Sequence, residues 1–261
     1  MTGKTKFSVA EAVDAYIASV TEAREPDGKW HPSSMFGCVR QAIYHVRGTP
    51  ITEDTDKITK RRFYIGHRLH EAVQRALEGA AGVEECYSEF EIDVESANVV
   101  GHGDTLVKLK DGRWILVEVK SIKKMGMKFG LPKPDHVSQV KVYAWAARNH
   151  GFYHIDVDLE DRMEERIHHP PLGKALVGIV LVYMEKEDLK IVEVPFDWDD
   201  SWNGEIAERL VDLEMYRADP MSLPPRLPYV GGKKDWHCNY CPFKTKCYTG
   251  DPVEIAPRGG F

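Results

Sequence analysis

The spacing of apolar residues along the chain changes between helical and strand periods. Apolar residues at helical spacing predict helices over 8–23, 32–46, 66–77, 136–149 and 202–216. Alternation of polar and apolar residues predicts strands over 87–94, 103–109, 113–120, 175–183 and 189–194. Charged runs or Gly and Pro residues predict loops over 125–134, 160–174 and 220–232. We therefore expect an α/β fold in which a central mixed sheet of about five strands is flanked by helices.

The same pattern divides the chain into four parts. We expect an N-terminal helical region over 1–59, a core over 60–219, a linker with a cysteine-rich module over 220–250, and a tail over 251–261. With 43% hydrophobic and 29% charged residues, the composition is typical of a globular protein. No apolar run approaches the roughly 20 residues that span a bilayer, and the N-terminus lacks the apolar segment of a signal peptide. We expect no membrane span and a cytoplasmic location, which would be the host cytoplasm for a virus-encoded protein.

The predicted strand over 113–120 carries two groups suited to phosphate chemistry. Glu118 and Lys120 are two positions apart and therefore share one face of the strand. A carboxylate is a hard oxygen ligand for magnesium or manganese, and an ammonium group can stabilise developing negative charge. The preceding strand of the hairpin brings Asp104 close, so two carboxylates and a lysine would form a minimal metal-dependent phosphodiester hydrolysis site. The alternative is an ordinary ion pair on a surface hairpin.

Further residue pairs, spaced along the chain, extend this group to a set of motifs. The pairs Gly66/His70, Gly101/Asp104, Glu118/Lys120 and Gln139/Tyr143 follow one another along the chain, and Ser121 comes directly after Lys120. In this order they resemble the motifs of the RecB-like branch of the PD-(D/E)XK nuclease superfamily. The resemblance implies a restriction-endonuclease-like core over 60–219 that binds Mg²⁺ or Mn²⁺. By the same resemblance His70, Asp104, Glu118 and the Val119 carbonyl would ligate the metal and Lys120 would be catalytic, while Gln139 and Tyr143 would contact DNA or support the site.

Four of the five cysteines form a second candidate site. Cys238, Cys241 and Cys247 lie close together in sequence, and Cys38 is the natural fourth thiol. From the spacing of the cysteines alone, a zinc ion is the simpler metal for these four thiolates to bind. In the same nuclease branch, one N-terminal and three C-terminal cysteines hold an iron–sulfur cluster. The resemblance therefore implies a [4Fe-4S] cluster and is closest to the CRISPR-associated "Cas-four" exonucleases and the AddB-type nuclease domains.

Charge and the resemblance together predict a DNA substrate. The net charge is −6, but residues 105–141 contain nine Lys or Arg against three Asp or Glu, as phosphate contacts around the site would require. Besides the Gln/Tyr pair, the candidates for DNA contact are Arg40, Ser121, Lys123 and Lys124. We expect a metal-dependent exonuclease that acts on single-stranded DNA ends, with a possible partner protein from recombination, replication or CRISPR adaptation. Two alternatives stay open: a structure-specific endonuclease on the same scaffold, and a non-catalytic, cysteine-stapled DNA-binding or adaptor protein.

Overall fold

The computed structural model describes residues 8–21, 26–157, 163–219, 221–227 and 235–250. Its strands are β1 (Val83–Val94), β2 (Val99–Leu109), β3 (Trp114–Ile122), β4 (Phe152–Val157), β5 (Glu164–His169), β6 (Leu176–Glu185) and β7 (Ile191–Asp197). Its α-helices are α1 (Val9–Val20), α2 (Pro32–Met35), α3 (Val39–Val46), α4 (Lys57–Glu78), α5 (Lys124–Lys128), α6 (Pro134–Asn149) and α7 (Trp202–Ala218). No helix within the described ranges is long and apolar enough to cross a membrane.

The seven strands form one mixed sheet in the order β5-β4-β1-β2-β3-β6-β7. Neighbouring strands are antiparallel except for β3 and β6, which run parallel. The connection between these two strands includes α6, as a parallel pair requires a crossover. The α/β class and the mixed sheet flanked by helices are therefore confirmed.

The expected number of strands, about five, was too low. Half of the described part of the predicted loop over 160–174 is β5, and β4 lies in a segment that was given no element. Both strands lie at one edge of the sheet and are mostly exposed or half-buried. Because β5 is mostly exposed, its sequence EERIHH lacks the polar–apolar alternation that marks a half-buried strand.

Two predicted helices have different bounds in the structure. The helix predicted over 32–46 is interrupted after Met35, so that Cys38 is the residue just before α3. The helix predicted over 66–77 begins nine residues earlier, at Lys57, where the Asp56 carboxylate accepts the Thr59 N–H at 3.0 Å and caps it. The predicted loop over 125–134 overlaps the short helix α5.

Helices cover both faces of the central strands. On one face the main core packs β1, β2, β3 and β6 against α2, α6 and α7, and on the other face α4 covers a smaller apolar cluster. Along β3 the two faces alternate as predicted: Leu116 belongs to the main core, whereas Val117 and Val119 belong to the smaller cluster. Glu118 therefore lies on a buried face and is only 3% exposed.

The two ends of the described chain pack against each other. The buried ring of Phe243 lies 5.3 Å, between ring centroids, from both Tyr44 and His45. Arg40 Nε donates a hydrogen bond to the Pro224 carbonyl at 2.7 Å. The predicted tail over 251–261 and part of the predicted linker lie outside the described residues, and the division into four parts stays a prediction.

Candidate active site

Two glycines of the predicted motifs allow close packing around the site. A β-carbon at Gly66 would lie 2.7 Å from Ser121 Oγ, so only glycine lets α4 approach the end of β3 this closely. A β-carbon at Gly101 would lie 2.8 Å from Pro32 Cδ and 3.1 Å from the Tyr143 ring. These glycines bring α4 and α6 toward the ends of β2 and β3, where the chemical groups are.

His70, Asp104 and Glu118 meet where the β2–β3 ladder ends. The last regular pair is Thr105 with Val117, so Asp104 and Glu118 are next in register. The Asp104 N–H donates to Glu118 Oε2 at 3.3 Å, and Asp104 Oδ2 accepts the Val119 N–H at 2.6 Å. Asp104 Oδ1 lies 3.2 Å from His70 Nδ1. The predicted proximity of the two carboxylates is thus observed, with the helix histidine beside them.

Lys120 connects the carboxylates to α6. Its Nζ donates to Glu118 Oε1 at 2.7 Å and to Gln139 Oε1 at 2.8 Å. The Gln139 amide in turn donates to the Tyr143 hydroxyl at 3.3 Å, and Tyr143 is buried. Of the two roles predicted for the Gln/Tyr pair, this geometry favours support of the lysine over contact with DNA.

Burial controls the electrostatics of this network. Burial raises the pKa of Glu118 to about 7; the Lys120 ammonium opposes the shift and the Asp104 carboxylate adds to it. Burial also lowers the pKa of His136, on α6, to about 4, and the Lys120 charge contributes to that shift. His136 Nδ1 lies 3.1 Å from the Tyr183 hydroxyl of β6. Near neutral pH, Lys120 therefore faces a neutral imidazole and a carboxyl group near its titration point.

Gln74 and His136 belong to the surroundings of the site and were missed in the sequence. Gln74 lies one turn after His70 on α4, and its amide donates to the Asp104 carbonyl at 3.1 Å and to Glu89 Oε1 at 2.8 Å. The four-residue spacing from His70 was a signal for Gln74. His136 carried no signal of this kind, because its neighbour Tyr183 comes from a strand 47 residues away.

The donor atoms for a metal ion are present, but they are engaged with one another. Glu118 uses both carboxylate oxygens, on Lys120 and on the Asp104 N–H. Within the part of the chain that the structure describes, no three His, Cys, Asp or Glu side chains are grouped so as to hold a metal ion. Val119 contributes its N–H to the network, and the predicted role of its carbonyl as a ligand stays a prediction.

The four predicted cysteines line one cavity between the two chain ends. Cys38 comes from the start of α3, and its companions on the cavity wall are Cys238, Cys241 and Cys247. All four are free thiols. Burial raises the pKa of Cys241 to about 11, and the charges of the other three thiols add to the shift. The cavity therefore concentrates thiols whose simultaneous ionisation is unfavourable without a cation.

The candidate DNA contacts do not form one group. Arg40 is only 2% exposed and donates to the Pro224 carbonyl, a position that does not favour contact with DNA. Lys124 is exposed but is paired with Asp188 at 2.6 Å. Lys123 is exposed, and Ser121 is half-buried against Gly66.

Comparisons with known proteins agree with the motifs. Residues 11–248 match the family model described as the PD-(D/E)XK nuclease superfamily. No curated protein matches the chain by sequence.

Three solved structures match the chain at low sequence identity. The crystal structure of SSO0001 has 16% identity and a TM-score of 0.49, over 93% of this chain and 95% of that one. The alkaline exonuclease LHK-Exo from Laribacter hongkongensis has 15% identity and a TM-score of 0.47, over 78% of this chain and 92% of that one. LHK-Exo in complex with dAMP has 18% identity and a TM-score of 0.45, over 73% and 90% respectively. Because the family model covers most of its length, the chain belongs to the PD-(D/E)XK nuclease superfamily.

Proposed function

We propose that this nuclease is a metal-dependent deoxyribonuclease that removes nucleotides from single-stranded DNA ends. The observation that carries the hydrolytic role is the continuous network of Asp104, Glu118, Lys120 and Gln139 at the open end of the β2–β3 ladder. An ordinary surface ion pair would be exposed, whereas Glu118 is almost fully buried. Keeping a carboxylate and an ammonium group in such a position costs stability, and a catalytic role accounts for that cost. The preference for ends and for single strands follows from the RecB-like motifs.

His70, Asp104 and Glu118 are the residues that would hold the divalent ion. Their imidazole and carboxylate groups fit Mg²⁺ or Mn²⁺, which prefer oxygen ligands. The raised pKa of Glu118 supports this assignment, because a second carboxylate contributes to the shift and a cation would favour the ionised form of both. A divalent ion bound there supplies Lewis acidity and an activated water for attack on phosphorus.

Lys120 then acts on the phosphate. Its ammonium group, fixed by Gln139 and Glu118, is available to stabilise the negative charge that develops on the phosphate oxygens. A water oxygen forms the new bond to phosphorus and gives up one proton to solvent as one P–O ester bond breaks, and the departing oxygen takes a proton from solvent. Gln139 and Tyr143 keep the lysine in position and do not touch the reacting atoms.

We further propose that Cys38, Cys238, Cys241 and Cys247 hold a [4Fe-4S] cluster. Four free thiols around one cavity are the donor set that such a cluster requires. A cluster there would tie the N-terminal helices to the C-terminal segment, whereas zinc would make the same tie with a single ion. Anaerobically purified protein is expected to be brown, with iron and acid-labile sulfide in equal amounts. A colourless protein with stoichiometric zinc would overturn the proposed iron–sulfur cluster, but it would still support a metal link between the two ends of the chain.

Degradation of labelled DNA tests the activity. The native protein with Mn²⁺ or Mg²⁺ should shorten linear single-stranded DNA, leave a circular single strand intact, and lose activity in EDTA. Lys120→Gln should reduce cleavage at least a hundredfold, whereas Lys174→Gln, at an exposed position before β6 and far from the network, should cleave at the native rate. Cleavage of the circle would show an endonuclease, and equal rates for both variants would refute the role of Lys120.

A further inference from the structure

A second group of cations lies beside the candidate active site, at the ends of β3 and β6. The Lys186 N–H donates to the Ile122 carbonyl at 3.0 Å, which holds the residue after β6 against the last residue of β3. Lys186 Nζ donates to the Arg62 carbonyl of α4 at 3.1 Å. Lys186 is thus half-buried between the helix and the sheet, and Lys123 follows Ile122 directly.

The charges of Arg62, Lys123 and Lys186 are close and unneutralised. The Lys186 pKa is lowered by burial and by the charges of Lys123 and Arg62. Among the described residues, none of the three forms an ion pair with a carboxylate. Three cations that repel one another, one of them half-buried, lower the stability of the protein without a ligand. An anion bound among them would neutralise this repulsion and raise the stability.

Three of the nearby carboxylates are engaged with other groups, and in the described part of the chain the exposed Glu187 forms no ion pair with these cations. Glu185 accepts the N–H groups of Glu187 and Asp188 at the turn after β6, and Asp188 is paired with Lys124. Asp56 is near enough to Arg62 for its pKa to be lowered, but its carboxylate caps α4 through Thr59. An external anion is therefore the partner that this group lacks.

Gly66 links the cations to the candidate active site. A β-carbon at Gly66 would lie 3.5 Å from Lys186 Nζ and 2.7 Å from Ser121 Oγ, so these two groups surround the same point on α4. Ser121 follows Lys120 in β3, and His70 lies one helical turn after Gly66, about 6 Å along the helix axis. The cations thus lie on the α4 side of β3, across the strand from Lys120.

We propose that Arg62, Lys123 and Lys186 bind one backbone phosphate of the DNA strand, next to the phosphate that is cleaved, with the Ser121 hydroxyl as a further hydrogen-bond donor. This inference rests on the proposed function, because it assigns the cations to the same substrate. Basic side chains that contact phosphates fix the register of a strand without reading its bases. The group would thus determine which ester bond reaches Lys120, in a manner independent of sequence.

The salt dependence of DNA binding tests the site without any cleavage. Binding of a fluorescent single-stranded oligonucleotide is measured by anisotropy in EDTA from 50 to 300 mM salt. Each phosphate contact to a single strand contributes about 0.7 to the slope of log K against log salt. Because the three cations share one phosphate, Lys186→Gln and Arg62→Gln should each lower the slope by up to about 0.7 and weaken binding by up to roughly fivefold at 0.1 M salt. Lys186→Arg should keep the native slope.

Lys174→Gln is the matched control, since it removes the same charge from an exposed position at the opposite end of β6 and should change neither quantity. Arg62 is exposed, so its variant keeps the test valid if replacement of the half-buried Lys186 impairs folding. Native slopes for Lys186→Gln and Arg62→Gln would overturn the site even in an active nuclease. A lowered slope in a protein that never cleaves DNA would support the site and refute the proposed activity instead.

Discussion

Glutamine in place of Glu118 is expected to stabilise the metal-free protein at pH 8 while abolishing metal-dependent cleavage. The reason is that the native structure buries a carboxyl group whose pKa rises from 4.5 to about 7. The folded chain therefore binds more protons than the unfolded chain between these two values. The contribution of this carboxyl group to stability is fully present below pH 4.5 and is lost as the pH rises through 7.

The size of the effect follows from the pKa difference. At about 1.4 kcal/mol for each unit, ionisation of the buried carboxyl costs about 3 kcal/mol at pH 8. A glutamine side chain has nearly the same shape, does not ionise, and still offers an oxygen to Lys120. The gain in free energy of unfolding should thus be about 3 kcal/mol at pH 8 and below about 1 kcal/mol at pH 5.

Urea unfolding in EDTA at several pH values between 4.5 and 8 measures this gain. Glu193→Gln, on the exposed face of the edge strand β7, is the control and should change stability equally at every pH. If Glu118→Gln gives no larger gain at pH 8 than at pH 5, the argument that burial controls the site is refuted. Retained Mg²⁺-dependent cleavage by the variant would show that Glu118 is not a ligand.

Three further changes test other parts of the structure. Gln139→Ala should lower kcat by about tenfold and leave the Kd for DNA unchanged, because Lys120 loses a positioning contact; an equal change in Kd would favour direct DNA contact. Gly101→Ala should destabilise the fold by about 1–3 kcal/mol in urea unfolding, since the added carbon meets Pro32 and Tyr143; a native midpoint would contradict this packing. Cys247→Ala should lower the Tm of the anaerobically purified protein by several degrees without altering the Mn²⁺ dependence of cleavage. A native Tm would count against a metal link between the chain ends.

The meeting of Asp104 and Glu118 could be predicted because it depends on local rules. A two-residue period places Glu118 and Lys120 on one face, and the Asp111–Gly112 turn sets the hairpin that brings Asp104 opposite. The two-residue period does not show, however, that helices pack on the face of β3 that carries Glu118. Both faces of β3 are covered by helices, and this burial gives Glu118 its raised pKa.

Features that depend on distant partners could not be read in the same way. Arg40 carries the positive charge expected of a DNA contact. Its partner Pro224, however, is 184 residues away in sequence, and the Arg40 side chain is buried. The cations Arg62 and Lys186 lie on different elements and are brought together by the approach of α4 to the sheet at Gly66. The outer strands β4 and β5 were missed because strands that pack on few neighbours need little apolar alternation.

The packing of the two chain ends has a consequence for synthesis on the ribosome. The bond from Arg40 to Pro224 closes a span of 184 residues, and the logarithmic loop term for that length is about 5 kcal/mol. Residues of the first helices emerge long before their C-terminal partners exist, so this corner of the molecule is completed only when translation is nearly finished. Until then the Cys38 thiol lacks the three C-terminal cysteines of the cavity and is exposed to oxidants and to adventitious ions. Assembly of the thiol cavity is thereby a late event in biogenesis, and a chain truncated before residue 224 would never form it.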